Sequence, residues 1–379
     1  MPAKTWDVAV VGAGCFGAWA AWQLRQDGRS VLLLDQYGPG NARSSSGGES
    51  RIIRMGYGPD ELYTRLALSS LAAWQRLTEE IREPLFHRTG VLWLARVGDR
   101  YATDTFATLA RLGVRHERLA ADDLRQRYPQ FALGDDVWAM IELASGALMA
   151  RRAVQAVVRE AVRAGAEYRT AAVASPVGAS IKTTDGSEIH AGTFVFACGP
   201  WLPKLFPDLL GARIFPSRQE VFFFGPPPGD ERFASPRMPA WIDFGEEIYG
   251  LPDLERRGFK LAPDRHGEPI DPDTGDRLVS AESVARMRAF LARRFPALAE
   301  APLLETRVCQ YENTSNGDFL IDRHPEAENV WLVGGGSGHG FKHGPAVGAY
   351  LAERILRGGP GEARFGLAAK QTVQKRAVY

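Results

Sequence analysis

The sequence predicts an α/β protein: a Rossmann-type nucleotide-binding domain carrying an inserted α+β domain. Three observations lead there. A strand, a glycine turn, a helix and a second strand ending in an acid succeed one another over residues 8–35. Glycine-rich turns recur after apolar stretches near residues 199 and 334. The chain between them is rich in strand formers and punctuated by proline. The expected division gives residues 1–85, 145–212 and 305–379 to the nucleotide domain. Residues 86–144 and 213–304 go to the inserted, substrate-binding domain.

Composition narrows the class. The chain has 379 residues, 45% of them hydrophobic, enough to bury a core without disulfide or metal staples. Lys and Arg total 46 against 45 Asp and Glu, so no basic excess points to nucleic acid. Cys15, Cys198 and Cys309 are far apart and have neither metal-ligand spacing nor a disulfide framework. A reducing cytoplasm is the expected compartment, and Ala377-Val378-Tyr379 is not a peroxisomal tripeptide. Residues 8–22 form an uncharged run, but its glycines at motif spacing and Asp7 before it favour a buried strand and helix. No other stretch approaches the ~20 apolar residues of a membrane span.

Taken in order, residues 8–11 are a short β-branched run that reads as a buried parallel strand. Residues 16–27 carry helical periodicity, and 30–34 form the next strand before Asp35. Gly, Ser, Asn and Pro make 36–50 a loop. Residues 59–82 are a long amphipathic helix with Leu62, Leu66, Leu71, Trp74 and Leu77. Strands are expected in 86–94, helices at 104–112, 121–128 and 152–164, short strands within 171–182 and a buried strand at 193–197. Residues 213–263 are strand-rich, with 221–224 and 241–248 as apolar centres. A helix at 281–295, a strand at 330–333 and a closing helix at 345–357 complete the order.

Gly12-Ala13-Gly14-Cys15-Phe16-Gly17 is a G-x-G-x-x-G turn. Gly12 permits the tight turn, Gly14 lets a diphosphate approach the backbone, and Gly17 allows close helix–strand packing. The helix N-terminus behind them favours phosphate. Asp35, 23 residues after Gly12, suits a ribose 2′-hydroxyl and disfavours a 2′-phosphate. The turns at Gly199-Pro200-Trp201 and 334–340 give two more places of close backbone approach. Three such places suit FAD, stretched across the fold.

Residues 44–54, Ser-Ser-Ser-Gly-Gly-Glu-Ser-Arg-Ile-Ile-Arg, with Tyr57 just beyond, resemble the monomeric sarcosine oxidase family. That family includes N-methyltryptophan, pipecolate and fructosyl amino acid oxidases, within the D-amino-acid oxidase-like superfamily. Val308-Cys309-Gln310-Tyr311 with 318–325, Gly338-His339-Gly340-Phe341-Lys342, and Tyr249-Gly250-Leu251-Pro252 with Gly258-Phe259-Lys260 resemble its other motifs, in the same order. The resemblance implies FAD attached covalently through Cys309. It implies that Lys260 promotes the reaction with oxygen, that Arg51 sits beside the flavin, and that Arg54 and Lys342 hold the substrate carboxylate. Tyr249 and Tyr311 would line the substrate cavity. The cofactor-binding set is Gly12, Gly14, Gly17, Asp35, Ser44, Ser45, Arg51, Val173, Gly199, Trp201, Cys309, Gly336, Gly338, His339, Gly340, Phe341 and Lys342. No metal site is expected.

Two departures stand out. The family carries two histidines where this chain has Ser46-Gly47, and a histidine where it has Asp264. An acid at that position changes the preferred substrate charge. The implied activity is oxidation of a secondary α-amino acid, N-methylated or cyclic, by hydride transfer to flavin and reoxidation by O2. The partners would be a small amino acid and O2, in a monomer or weak homodimer. A dehydrogenase with another electron acceptor, a fructosyl amino acid oxidase and a non-catalytic flavin-binding module are the alternatives.

Overall fold

The computed structural model describes residues 4–174 and 180–375. Two large sheets organise it. In the first, strands Leu320–His324, Ala327–Gly334, Glu188–Phe196, Thr5–Val11, Val31–Asp35 and Glu167–Thr170 lie side by side, with Ser180–Lys182 on the flank of Glu188–Phe196. Its central pairs are parallel and its Leu320–His324 edge antiparallel. Along the first strand Val8 and Val10 face one core while Ala9 and Val11 face another. That two-sided burial is why the strand reads as a continuous apolar run.

The fingerprint helix, Cys15–Gln26, packs against the closing helix Gly344–Arg357 and against Ala150–Arg163. Glycine sets the distance here: a Cβ on Gly348 would lie 2.7 Å from the Trp19 backbone. Residues 36–50 carry no regular element, as expected of their composition.

The second sheet orders Leu303–Thr314, Ile214–Phe224, Phe259–Pro263, Ile248–Leu251, Ala240–Asp243, Val91–Arg96, Val137–Glu142 and His116–Leu119. On one face Phe222, Phe224, Trp241, Phe259 and Phe295 pack under helix Ala281–Arg294. Alternate residues Val221, Phe223, Ala262 and Cys309 cluster on the other face. The long ladder between Ile214–Phe224 and Leu303–Thr314 pairs Gln219 with Cys309 and Ser217 with Tyr311. The boundary expected at residue 305 falls inside this last strand.

Two expectations are refined. The apolar centre at 241–248 spans a hairpin of Ala240–Asp243 and Ile248–Leu251, and Glu247 turns with φ 52°. Residues 86–94 divide between sheets, because Phe86–His87 joins Arg51–Ile53 and Gly146–Leu148 in a small third sheet. Of the strands expected within 171–182, residues 175–179 lie outside the described residues.

Candidate active site

Two cavities meet between the sheets. The larger, about 660 Å3, runs from Asp35 and Val173 past the glycine turns to Arg51, Cys309 and Tyr311. Gly12 has φ +104°, and a Cβ there would sit 2.4 Å from the Ala197 carbonyl oxygen. A Cβ on Gly17 would meet the Gly12 oxygen at 1.8 Å, so this turn closes only with glycine at both places. Asp35 ties the turn down: its carboxylate accepts from the amides of Ala13 at 2.8 Å, Tyr37 at 2.8 Å and Gly38 at 2.9 Å. Burial raises its pKa, and those three amides oppose the rise. Four lone-pair sites leave the carboxylate room for a further donor.

Of the residues expected to bind cofactor, Gly12, Gly14, Asp35, Ser44, Ser45, Arg51, Val173, Gly199, Trp201, Cys309, Gly336, Gly338, Gly340 and Phe341 line this cavity. Gly17 packs beneath the turn. His339 and Lys342 line the smaller cavity instead.

The smaller cavity, about 100 Å3, shares Arg51, Cys309, Tyr311, Gly338 and Phe341 with the larger. At this junction Arg51 donates to Cys309 Sγ at 3.3 Å, to the Ser45 oxygen at 2.6 Å and to the Ser50 oxygen at 2.8 Å. Burial works against the Arg51 charge, but Cys309, Tyr249 and Tyr311 around it hold its pKa up. Burial pushes the Tyr249 hydroxyl to about 12 and carries Tyr311 well above the usual phenol value. Tyr311 donates to the Asp264 carboxylate at 3.2 Å. Cys309 is free, as are Cys15 and Cys198, whose thiols burial pushes upward.

Arg54 and Lys342 converge on one ring. The guanidinium of Arg54 lies 4.5 Å from the Tyr57 centroid and 4.9 Å from that of Trp93. Lys342 Nζ lies 5.0 Å from the same Tyr57 centroid and donates to the His339 oxygen at 2.9 Å. Both cations are buried. The aromatic faces offset part of the cost of placing two like charges together. His339 bonds to Tyr57 Oη at 3.0 Å and to the Gly317 oxygen at 3.0 Å through its two ring nitrogens.

Lys260 is buried but lines neither cavity. Its ammonium donates to the Ser50 oxygen at 2.8 Å. Burial, and then Arg51, hold its pKa well below the usual lysine value.

Sequence reasoning passed over three groups. Ser46 caps the fingerprint helix by accepting from Cys15 N at 3.0 Å. Glu142, fully buried, accepts from Met55 N at 2.7 Å, Gly56 N at 3.0 Å and Trp93 Nε1 at 2.9 Å, and takes the Ser145 hydroxyl. It therefore fixes both the backbone after Arg54 and the ring beneath it. A charged residue ending the apolar run 137–142 was the available signal. Glu312, the third, lines the larger cavity.

The family model of FAD-dependent oxidoreductases matches residues 7–354. The chain belongs to this family. Monomeric sarcosine oxidase from Bacillus sp. (strain B-0618) is 34% identical over 366 residues, covering 93% of this chain and 92% of the relative. N-methyl-L-tryptophan oxidase from Salmonella heidelberg (strain SL476) is 29% identical over 360 residues, with coverages of 93% and 95%. L-proline dehydrogenase from P. horikoshii shares the fold, with a TM-score of 0.84, 21% identity, and coverage of 97% of this chain and 98% of that one. The residues of this FAD-dependent oxidoreductase fit its cofactor: a long cavity, glycines where a Cβ would collide, and Asp35 beside the first turn. Among the described residues no helix is long and apolar enough to cross a membrane.

Proposed function

We propose that this enzyme oxidises a small secondary α-amino acid, N-methylated or cyclic, to an imine that water hydrolyses, and passes the electrons to O2 to give H2O2. The carrying observation is the pair of buried cations, Arg54 and Lys342, both packed against the Tyr57 ring and both lining a cavity that joins the cofactor cavity at Cys309. Bound FAD supplies the redox chemistry, accepting a hydride from the carbon next to nitrogen and giving two electrons to O2.

The chain's own residues bind and orient. The Arg54 fork and the Lys342 ammonium take the substrate carboxylate, and that grip aims the adjacent carbon at the cavity junction. Asp264 adds a carboxylate to the same cavity, so its wall carries both signs, as a zwitterionic amino acid does. Arg51 holds positive charge beside Cys309, the residue that would carry the flavin thioether, and that charge would favour an anionic reduced ring. Tyr249 and Tyr311 complete the walls as neutral phenols. The relatives named for sarcosine and N-methyl-L-tryptophan oxidation support the secondary amine. A volume of about 100 Å3 favours a small substrate over a fructosyl amino acid.

The second reading is a flavin dehydrogenase serving another acceptor, favoured by the position of Lys260 outside both cavities. Turnover of an N-methyl amino acid in air, with stoichiometric H2O2, supports the oxidase. Turnover that needs an artificial acceptor supports the dehydrogenase. A cytoplasmic location, supported by three unpaired cysteines, and a monomer or weak homodimer belong to the same proposal.

A further inference from the structure

Glu312 lies on strand Leu303–Thr314, three residues beyond Cys309, and has no part in the reading above. It is only 8% exposed, yet its side chain lines the larger cavity. Its carboxyl is lodged between the second and third glycine turns. A Cβ on Gly334 would lie 2.1 Å from Oε1, and one on Gly199 would lie 3.8 Å from Oε2. The local backbone is secured without it, since the Glu312 carbonyl accepts from Ser337 N at 2.9 Å. Oε1 is buried and has no hydrogen-bond partner among the described residues, nor does the group form a salt bridge with any of them. A buried, unpartnered Oε1 makes the ionised carboxylate costly and favours the neutral acid, and Oε2, toward Gly199, is the oxygen left open to a ligand in the cavity.

We infer that Glu312 is a cofactor-holding residue that acts as a neutral acid. Its O–H donates to an oxygen of the hydroxylated and phosphorylated chain joining the two ring systems of FAD. The chemistry of that chain explains the choice of form. It offers hydroxyl and phosphate oxygens, which accept from a protonated carboxyl, whereas an ionised one would repel the diphosphate. Burial pushes the Glu312 pKa up to about 8, with the Gly335 and Gly336 amides pulling the other way. Burial therefore favours the neutral acid before any cofactor enters. An acceptor in the cavity stabilises the neutral form further and moves its titration higher still.

The test measures FAD binding, not turnover. In a Cys309→Ser background, where a thioether cannot mask dissociation, apoprotein is titrated with FAD by fluorescence quenching from pH 6 to 10. The parent is expected to show a flat Kd at low pH and a rise of about tenfold per pH unit above the Glu312 titration. Glu312→Gln, which keeps a donor and cannot ionise, is expected to bind within about fivefold of the parent at pH 6 and to stay flat throughout. Glu312→Leu is expected to bind about 10- to 100-fold more weakly at pH 6, with the melting temperature of its apoprotein not lowered. A parent profile that Glu312→Gln reproduces overturns the inference, as does Glu312→Leu binding FAD as tightly as the parent. If Glu312→Leu does not fold, the comparison of parent and Glu312→Gln decides alone. Failure of all three chains to take up FAD would instead refute the cofactor assignment, and the inference with it.

Discussion

Replacing Arg54 by Met removes the fork while leaving an unbranched apolar chain between the Tyr57 and Trp93 rings. Arg54 is 8% exposed, so a carboxylate bound there meets it with little water to screen the contact. A hydrogen bond to a charged group contributes about 1.5–3 kcal/mol, and a two-pronged grip more than one bond alone. Lys342 remains, 5.0 Å from the Tyr57 centroid, and keeps part of the attraction. The net loss is about 2–4 kcal/mol, which is about 30- to 800-fold in substrate Kd. The assay is anaerobic rapid mixing with an N-methyl amino acid, reading flavin bleaching across substrate concentrations to separate Kd from the limiting rate. Arg54→Lys is expected to fall between, since an ammonium keeps charge but not the fork. An N-methyl amine lacking the carboxyl is expected to react equally with both enzymes. A Kd within twofold of the parent in Arg54→Met would refute the clamp.

Three further variants have expected outcomes. Cys309→Ser should yield FAD that is released by acid denaturation, whereas the parent should keep its flavin on the chain, as a gel or mass spectrum reads directly. Lys260→Met should slow reoxidation of reduced enzyme by O2 while leaving anaerobic reduction unchanged. The Lys260 pKa is depressed, so the parent's oxygen reaction should fall as pH rises through an inflection below the ordinary value of about 10.4, and the variant should lack that inflection. The unfolded chain holds the Lys260 proton up to about 10.4 while the folded chain releases it earlier. Stability should therefore rise with pH across that window, and Lys260→Met should flatten the rise in denaturant titrations. Glu142→Ala strands two buried amides and the Trp93 indole, so it should cost about 3–5 kcal/mol in urea unfolding and raise KM through the loosened Arg54 backbone. A loss below about 1 kcal/mol would show that water replaces the carboxylate.

The first sheet was readable because its signals are local. Val8 to Asp35 place strand, turn, helix and acid within one βαβ unit, and each glycine has a stereochemical reason visible in the order of residues. The second sheet was harder because its pairings are remote. Ala240–Asp243 runs parallel to Val91–Arg96, a partnership no neighbouring residue encodes. Within 241–248, Trp241, Ile242, Phe244 and Ile248 are all apolar, and the reversal between the two strands rests on the single left-handed residue Glu247, which that pattern does not mark. The candidate site divides the same way. The motifs pointed to Arg51, Arg54, Cys309, Tyr311 and Lys342, which line the two cavities, but nothing near Glu142 shows that Met55, Gly56 and Trp93 will deliver three donors to it. Glu312 reads as one more alternating strand residue until the turns at Gly199 and Gly334 close around it. Lys260 reads as one more strand residue, and only the fold brings its ammonium to the Ser50 carbonyl, one residue from Arg51.

On the proposed function, two buried cations beside the cofactor cavity select a secondary α-amino acid for oxidation. The most direct test of that selection is an anaerobic titration of the purified enzyme's visible flavin spectrum with matched compounds: N-methyl and cyclic amino acids, their primary-amine counterparts, and the amines without carboxyl. The account predicts bleaching by the secondary amino acids at far lower concentration than by either control series. A flavin spectrum that none of them bleaches, or one bleached equally well by the amines lacking a carboxyl, would contradict it.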